Sequence, residues 1–208
     1  MFTRIIPALI YGIIFYICTY QQNIIFLNIL LTFFIIQLNI ELYNITRKSQ
    51  SIISGILMPI VYIILPIIIL QKIKLEFGYN YLLFLILITW TNDVSAFVIG
   101  KKMGKHKLSN ISPNKTIEGF LGSLMVSIIM CYYLFPNLNI ELNMNPIYLG
   151  LLISLSCNIG DLFESFIKRK FKKKDSGKIM LGHGGMLDRL DSLLLSVPLF
   201  YLILIYSN

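Results

Sequence analysis

Asp161, Glu164, Ser165 and Lys168 follow one another at offsets of three, four and seven, which lines them along one face of a helix. The rest of that stretch is apolar, so the four form a polar stripe on a greasy helix. Ion pairs at a helix end facing water are the simplest account. Asp161, however, lies inside the apolar run that precedes the basic segment. A carboxylate there costs several kcal/mol (about 3) unless it is paired, hydrated or bound to a cation. The stripe therefore reads as a cation ligand, with Glu164 orienting a base.

Beyond it runs Lys168 to Lys178, dense in positive charge, and then Leu181-Gly182-His183-Gly184-Gly185-Met186-Leu187-Asp188-Arg189-Leu190-Asp191-Ser192. Lysines beside an apolar segment ordinarily serve as a juxtamembrane stop or a patch for anionic lipid. The glycines add something else. Gly182, Gly184 and Gly185 leave backbone N–H groups open in a loop that feeds a helix N-terminus, where phosphate is favoured. Asp188 and Asp191 then stand about one turn apart at that terminus. Two such carboxylates suit Mg²⁺, a hard cation that takes few protein oxygens and shares its shell with substrate phosphates.

A third polar group lies upstream. Asp93 falls inside the apolar run that ends at Gly100, and Ser112-Pro113-Asn114-Lys115-Thr116-Ile117-Glu118-Gly119 follows a basic loop. Ser112 as N-cap with Pro113 at the first helical position would open the next helix. Lys115 reads as a phosphate ligand that shares a face with Glu118 at the membrane rim, and Asp93 as a metal or nucleotide contact. His106 sits in the solvated basic loop and is expected to have no catalytic role.

What must hold these groups is a set of membrane helices. Of 208 residues, 56% are hydrophobic and 13% charged, and the mean hydropathy is +0.75, too apolar for a soluble domain of this size. Apolar runs long enough to cross about 30 Å of hydrocarbon recur throughout. Seven helices are expected, near 4–20, 23–43, 51–70, 79–99, 117–135, 146–164 and 189–206, giving an all-α polytopic membrane domain over 1–208. Residues 1–89 form its hydrophobic N-terminal helices and 90–208 its motif-bearing half. Arg4 before the first run resembles a signal-peptide start, but no small-residue cleavage site follows, so that run reads as a retained helix. Pro59 and Pro66 predict a kink in the third helix, or two short segments. Asn137 to Asn145 reads as loop, and Cys18, Cys131 and Cys157 as buried apolar residues without metal-ligand spacing.

With seven spans, all but Lys72 and Lys74 of the 18 basic residues fall on one side. The positive-inside rule makes that side cytoplasmic, together with the N-terminus. The asymmetry also accounts for the net charge of +8 without nucleic acid. The acids follow, since only Glu76 and Glu141 lie opposite, while Glu41, Asp93, Glu118, Asp161, Glu164, Asp175, Asp188 and Asp191 share the basic side.

Ser165-Phe166-Ile167-Lys168-Arg169, then Lys174-Asp175-Ser176, then Gly182-His183-Gly184-Gly185-Met186-Leu187-Asp188-Arg189-Leu190-Asp191 resembles the C-terminal signature of phosphatidate cytidylyltransferases. Gly160-Asp161 with Glu164-Ser165, and Ser112-Pro113 with Lys115-Thr116 and Glu118-Gly119, support the likeness. It covers the chain from about Trp90; the first half is similar only in being hydrophobic. Leu181 stands where the family commonly has proline. The resemblance implies CMP transfer from CTP to phosphatidate at the cytoplasmic face of the cell membrane, giving CDP-diacylglycerol and pyrophosphate. It implies Mg²⁺, with room for a second cation, and a homodimer. Asp161 and Asp188 would bind metal, with Asp191 and Asp93 as further ligands, while Lys168, Arg169, Lys115 and Arg189 neutralise phosphates. Ser165 and Ser112 would donate hydrogen bonds, His183 would contact phosphate or protonate the leaving group, and Glu118, Glu164, Asp175, Gly184 and Gly185 complete the nucleotide site.

Two other classes remain open from the residues alone. A CTP-dependent polyprenol or diacylglycerol kinase would yield CDP and a phosphorylated alcohol. An anion or metal transporter would carry polar residues into the outer half of its spans, where this chain has little charge.

Overall fold

A computed structural model describes residues 17, 19–20, 24–47, 51–177 and 184–207. Its elements are α1 (Ile24–Thr46), two π-helical turns (Ile53–Leu57 and Pro59–Ile64) that run into α2 (Leu65–Glu76), α3 (Tyr79–Met103), α4 (Ile117–Asn137), α5 (Pro146–Lys170) and α6 (Leu187–Ser207). Among the described residues there is no named strand, only an isolated bridge between Lys107 and Thr116. Among the described residues, six helical stretches are long and apolar enough to cross a bilayer, the second being Gly55–Glu76. The protein is an all-α integral membrane protein. The expected first helix lies outside the described residues apart from Ile17, Thr19 and Tyr20, which are helical.

Lipid tails are as apolar as leucine, so these helices hold together by close packing and interhelical hydrogen bonds rather than by burial from water. Both are evident between α3, α4 and α5. Gly119 of α4 backs onto Ala96 and Gly100 of α3, where a Cβ would meet the Ala96 carbonyl oxygen at 2.7 Å. Asn92 of α3 lies at the centre of a buried polar knot. Its Oδ1 accepts from Ser154 Oγ of α5 (2.5 Å), Ser127 Oγ of α4 (3.3 Å) and Asn158 Nδ2 of α5 (3.3 Å). Asn158 also donates to Ser123 Oγ of α4 at 3.1 Å. Toward the opposite end Phe84 stacks on Phe200 of α6, with ring centroids 5.9 Å apart.

The two ends of the bundle differ in charge. At one end the close of α1, the start of the second span, the 104–116 loop, the close of α5 and the start of α6 come together, bringing every described Lys and Arg except Lys72 and Lys74. At the other end Tyr201 donates to Glu76 at 2.9 Å and Tyr81 to the Glu141 carbonyl at 3.1 Å.

Two local expectations need correction. The prolines do not divide the third expected helix, because the chain from Ile53 to Ile64 widens into π turns, with Met58 N–H donating to Ile53 O and Leu65 N–H to Ile60 O. Moving hydrogen bonds one residue further back relieves the clash that a proline ring makes with the i−4 carbonyl. The helix after the basic loop does not begin at Ser112 and Pro113 either. Thr116 is its N-cap, with Oγ1 accepting from Gly119 N at 3.1 Å, and residues 109–114 form bends and a turn. A threonine in extended conformation is a sound cap, and it displaces the earlier serine by four residues.

Candidate functional site

Five carboxylates and two lysines gather just inside the basic end, carried by α3, α5, α6 and the loop before α4. Lys115 Nζ lies 2.5 Å from Asp161 Oδ2. Lys168 Nζ bridges Glu164 Oε2, one turn back on α5, and Asp188 Oδ1 in the first turn of α6, each at 2.6 Å. Asp191, one turn further along α6, is buried and accepts from the Ser192 N–H at 2.8 Å. It feels the charges of Asp161, Glu164 and Asp93. Asp93 accepts from Ser192 Oγ at 3.0 Å, which ties α3 to α6.

The close approach of α5 and α6 at this level depends on Gly160. A Cβ there would come within 2.6 Å of the Asp191 carbonyl oxygen, so a larger residue would part the helices that present Asp161 and Asp191. Five carboxylates outnumber the two lysines, and such surplus within a span is tolerable when a proton, water or a cation takes it up. Among the described residues, no three His, Cys, Asp or Glu side chains converge into a ready metal cluster. Mg²⁺ rarely uses such a cage, since it takes one or two carboxylates and completes its shell with water and phosphate. The donor set therefore fits a divalent cation that completes its shell with water or phosphate.

The loop that opens α6 is fastened by two carboxylates. Asp188 accepts from the N–H groups of Gly185 (2.7 Å) and Ser176 (3.1 Å). Glu41, in the last two turns of the apolar α1, accepts from Met186 N–H, Leu187 N–H and Ser176 Oγ at 2.9 Å each, and from Gln37 Nε2 at 3.1 Å. Glu41 thus occupies the positive N-terminus of α6. Of the backbone N–H groups that suggested a phosphate cradle, that of Gly185 is taken by the chain's own Asp188. Gly184 has φ +86°, and a Cβ on Gly185 would strike Ser176 and Glu41, so both glycines serve the tight fit of this loop.

The remaining expected site residues are dispersed. Arg169 reaches the carbonyls of Ile111 (3.3 Å) and Lys173 (2.8 Å), bracing two loops against each other. Glu118 is engaged by the basic loop rather than by Lys115. Its carboxylate accepts from Lys105 N–H at 3.0 Å and meets the exposed His106 ring at 2.6 Å. Ser165 is buried, Ser112 half-buried, and Asp175 and Arg189 are exposed. His183 and Gly182 lie outside the described residues, as do Leu181, Lys178 and Cys18. Cys131 and Cys157 are free and buried, as expected of apolar residues.

Sequence reasoning did not single out Glu41 or Tyr62 for the site. Glu41 had a signal, being the one acidic residue of α1, but its partners outside α1 lie 135 to 146 positions away. Tyr62 had none. It is buried on the π-helical stretch, with its ring edge-on to Phe163 of α5, the residue before Glu164, at 5.2 Å.

The fold and site define a polytopic helical membrane protein with an acidic, lysine-bridged centre near one surface. Its sequence matches the cytidylyltransferase family over residues 2–207, and the chain belongs to that family. A phosphatidate cytidylyltransferase of Staphylococcus aureus (strain COL) is 47% identical over 135 residues, 62% of this chain and 51% of that protein. Its counterpart in Staphylococcus saprophyticus is 43% identical over 152 residues, 72% of this chain and 58% of that protein. The matched region spans about half the length of these curated relatives.

Proposed function

We propose that the protein transfers CMP from CTP to phosphatidate, releasing pyrophosphate and leaving CDP-diacylglycerol for phospholipid synthesis. A phosphate oxygen of phosphatidate attacks the α-phosphorus of CTP in line. The new P–O bond forms as the bond between the α-phosphorus and its bridging oxygen to the β-phosphorus breaks, and the electron pair leaves with pyrophosphate. The nucleophile is already an anion, so catalysis rests on positioning and charge neutralisation more than on a strong base.

The observation that carries this reading is the convergence of Lys115 and Lys168 on Asp161, Glu164 and Asp188. The lysines lie where they can pass from carboxylate to phosphate as substrate enters. Asp161 and Asp188, with Asp191 and Asp93, would hold Mg²⁺, which supplies positive charge to the phosphates. Arg169 and Arg189 lie toward water, where they meet the distal phosphates of the nucleotide. Glu41 and Asp188 keep the α6 entry closed and in register. The names of the staphylococcal relatives support the choice of substrates.

The site faces the cytoplasm in this proposal, because the basic end of the bundle carries it. CTP then arrives from water and phosphatidate from the inner leaflet. A homodimer belongs to the same reading.

The test is purified protein with CTP, Mg²⁺ and phosphatidate in mixed micelles. Lipid-linked CMP and pyrophosphate are expected in equal amounts. CDP with a phosphorylated alcohol, from added polyprenol or diacylglycerol, would replace this reading with a lipid kinase. Ion flux in liposomes without CTP turnover would replace it with a transporter.

A further inference from the structure

Tyr62 is 5% exposed, and its hydroxyl is buried with no hydrogen-bonding partner. A buried hydroxyl left unmade costs about 1–3 kcal/mol, which a phenylalanine of the same shape would avoid. The surroundings are not inert. The phenol ring lies edge-on to that of Phe163 on α5, the residue before Glu164, with centroids 5.2 Å apart. Glu164, itself 1% exposed, has its Oε1 buried without a hydrogen-bonding partner. An open donor and an open carboxylate oxygen thus border the same acidic centre.

The backbone gives Tyr62 its place. It lies in the π-helical turn Pro59–Ile64, and such widened turns re-aim side chains and recur at functional sites. Its neighbours Ile60 and Val61 are 47% and 60% exposed on the apolar outer surface of the span. Tyr62 therefore stands between the lipid-facing side of the second span and the carboxylates, about two helical turns in from Gly55. Lys115 and Lys168 approach the centre from the loop before α4 and from α5. A ligand that meets Tyr62 must accept a hydrogen bond, carry charge that the lysines and a cation can balance, and enter from the bilayer. A phosphomonoester on a lipid has all three properties.

We propose that the Tyr62 hydroxyl donates a hydrogen bond to a non-attacking phosphate oxygen of the lipid substrate, holding that phosphate from the membrane side of the carboxylate cluster. The assignment deepens the transferase reading and rests on it for the word substrate. It makes Tyr62 a lipid-specificity contact contributed by the half of the chain that lacks the sequence motifs.

The test is Tyr62→Phe in purified full-length protein. Binding is read without CTP, as the rise in unfolding temperature with added dioctanoyl phosphatidate, and glycerol 3-phosphate serves as the soluble phosphomonoester. The unliganded variant should unfold at or above the wild-type temperature, since it loses only an unpaired hydroxyl. The phosphatidate concentration for half-maximal stabilisation should rise about tenfold, roughly the loss of one hydrogen bond to a charged group. KM for phosphatidate should rise alongside it, with KM for CTP unchanged and little effect of glycerol 3-phosphate on either protein.

An unchanged phosphatidate midpoint overturns the proposal. So does a shift confined to CTP, equal protection by glycerol 3-phosphate, or a fall of several degrees in the unliganded variant, which would make the hydroxyl structural. Wild-type protein that binds phosphatidate through Tyr62 yet makes no lipid-linked CMP removes the transferase reading and leaves this contact standing. CMP transfer with an unaltered lipid midpoint in the variant does the reverse.

Discussion

The two halves of this membrane domain are built differently. From α3 onward, small residues let helices cross closely, and buried Asn and Ser side chains tie α3, α4 and α5 together. Nearly all the charged site residues are there. α1 and the span through α2 are almost uniformly apolar, and much of their surface faces outward, including Ile25, Phe26, Ile29, Ile56 and Ile68. Even so, the apolar half sends two polar side chains inward, Glu41 to the entry of α6 and Tyr62 against Phe163, next to Glu164. A half without motifs can still be functional, through isolated polar residues whose burial only a specific partner makes tolerable.

The sharpest contrast comes from the motif half. Asp188→Asn removes the charge opposite Lys168 while keeping an acceptor for Gly185 N–H, so it should lower turnover on the order of 10²–10³-fold with the fold retained. Turnover and circular dichroism measured together check this, and wild-type rates would take Asp188 out of the site. Glu41→Ala should be the largest effect in the apolar half. It leaves two backbone N–H groups and the Ser176 hydroxyl without an acceptor, and should cost roughly 3 kcal/mol of stability as well as activity. Thermal unfolding in detergent reads the loss, and Glu41→Gln should recover part of it. If Glu41→Ala were silent, α1 would be packing alone and the contrast would be complete.

Smaller changes sharpen the boundary. Lys115→Met should raise KM for CTP about tenfold, because Asp161 loses its partner and the phosphates lose a counter-charge. Unchanged CTP kinetics would confine Lys115 to a structural ion pair. Asn92→Leu should destabilise by about 1–2 kcal/mol, the range of interhelical polar contacts in membranes, with KM for both substrates held. Lys72→Met, at the far end of the bundle, should alter turnover by less than about twofold. A large effect there would mean that the charge asymmetry does not mark the working end.

Much of the fold was legible because a bilayer restricts what a chain can do. Apolar runs must become helices, and the described spans fall close to the expected ones. Asp161, Glu164 and Lys168 were legible because helical periodicity is local, and one α-helix carries all three. The cap of α4 was misread, though its expected span begins at the right residue, since Ser112 and Thr116 are both capping types within four positions and only the path of the 104–116 loop decides for Thr116. The interruption of the third expected helix was legible from its prolines, but not its form, since proline announces strain without specifying its relief, here by π turns.

The sequence alone determined the membrane setting, the helical class, the charged end and the residue types of the centre, all set by composition and short-range spacing. Tertiary structure alone decided the pairing. Lys115 goes to Asp161 rather than to a face shared with Glu118, Lys168 bridges two helices, and Glu41 crosses 145 positions to cap α6 at Met186. The reason is physical: a buried charge takes whichever partner the packed helices bring within about 3 Å, and that proximity is a property of packing, invisible in the order of residues along the chain.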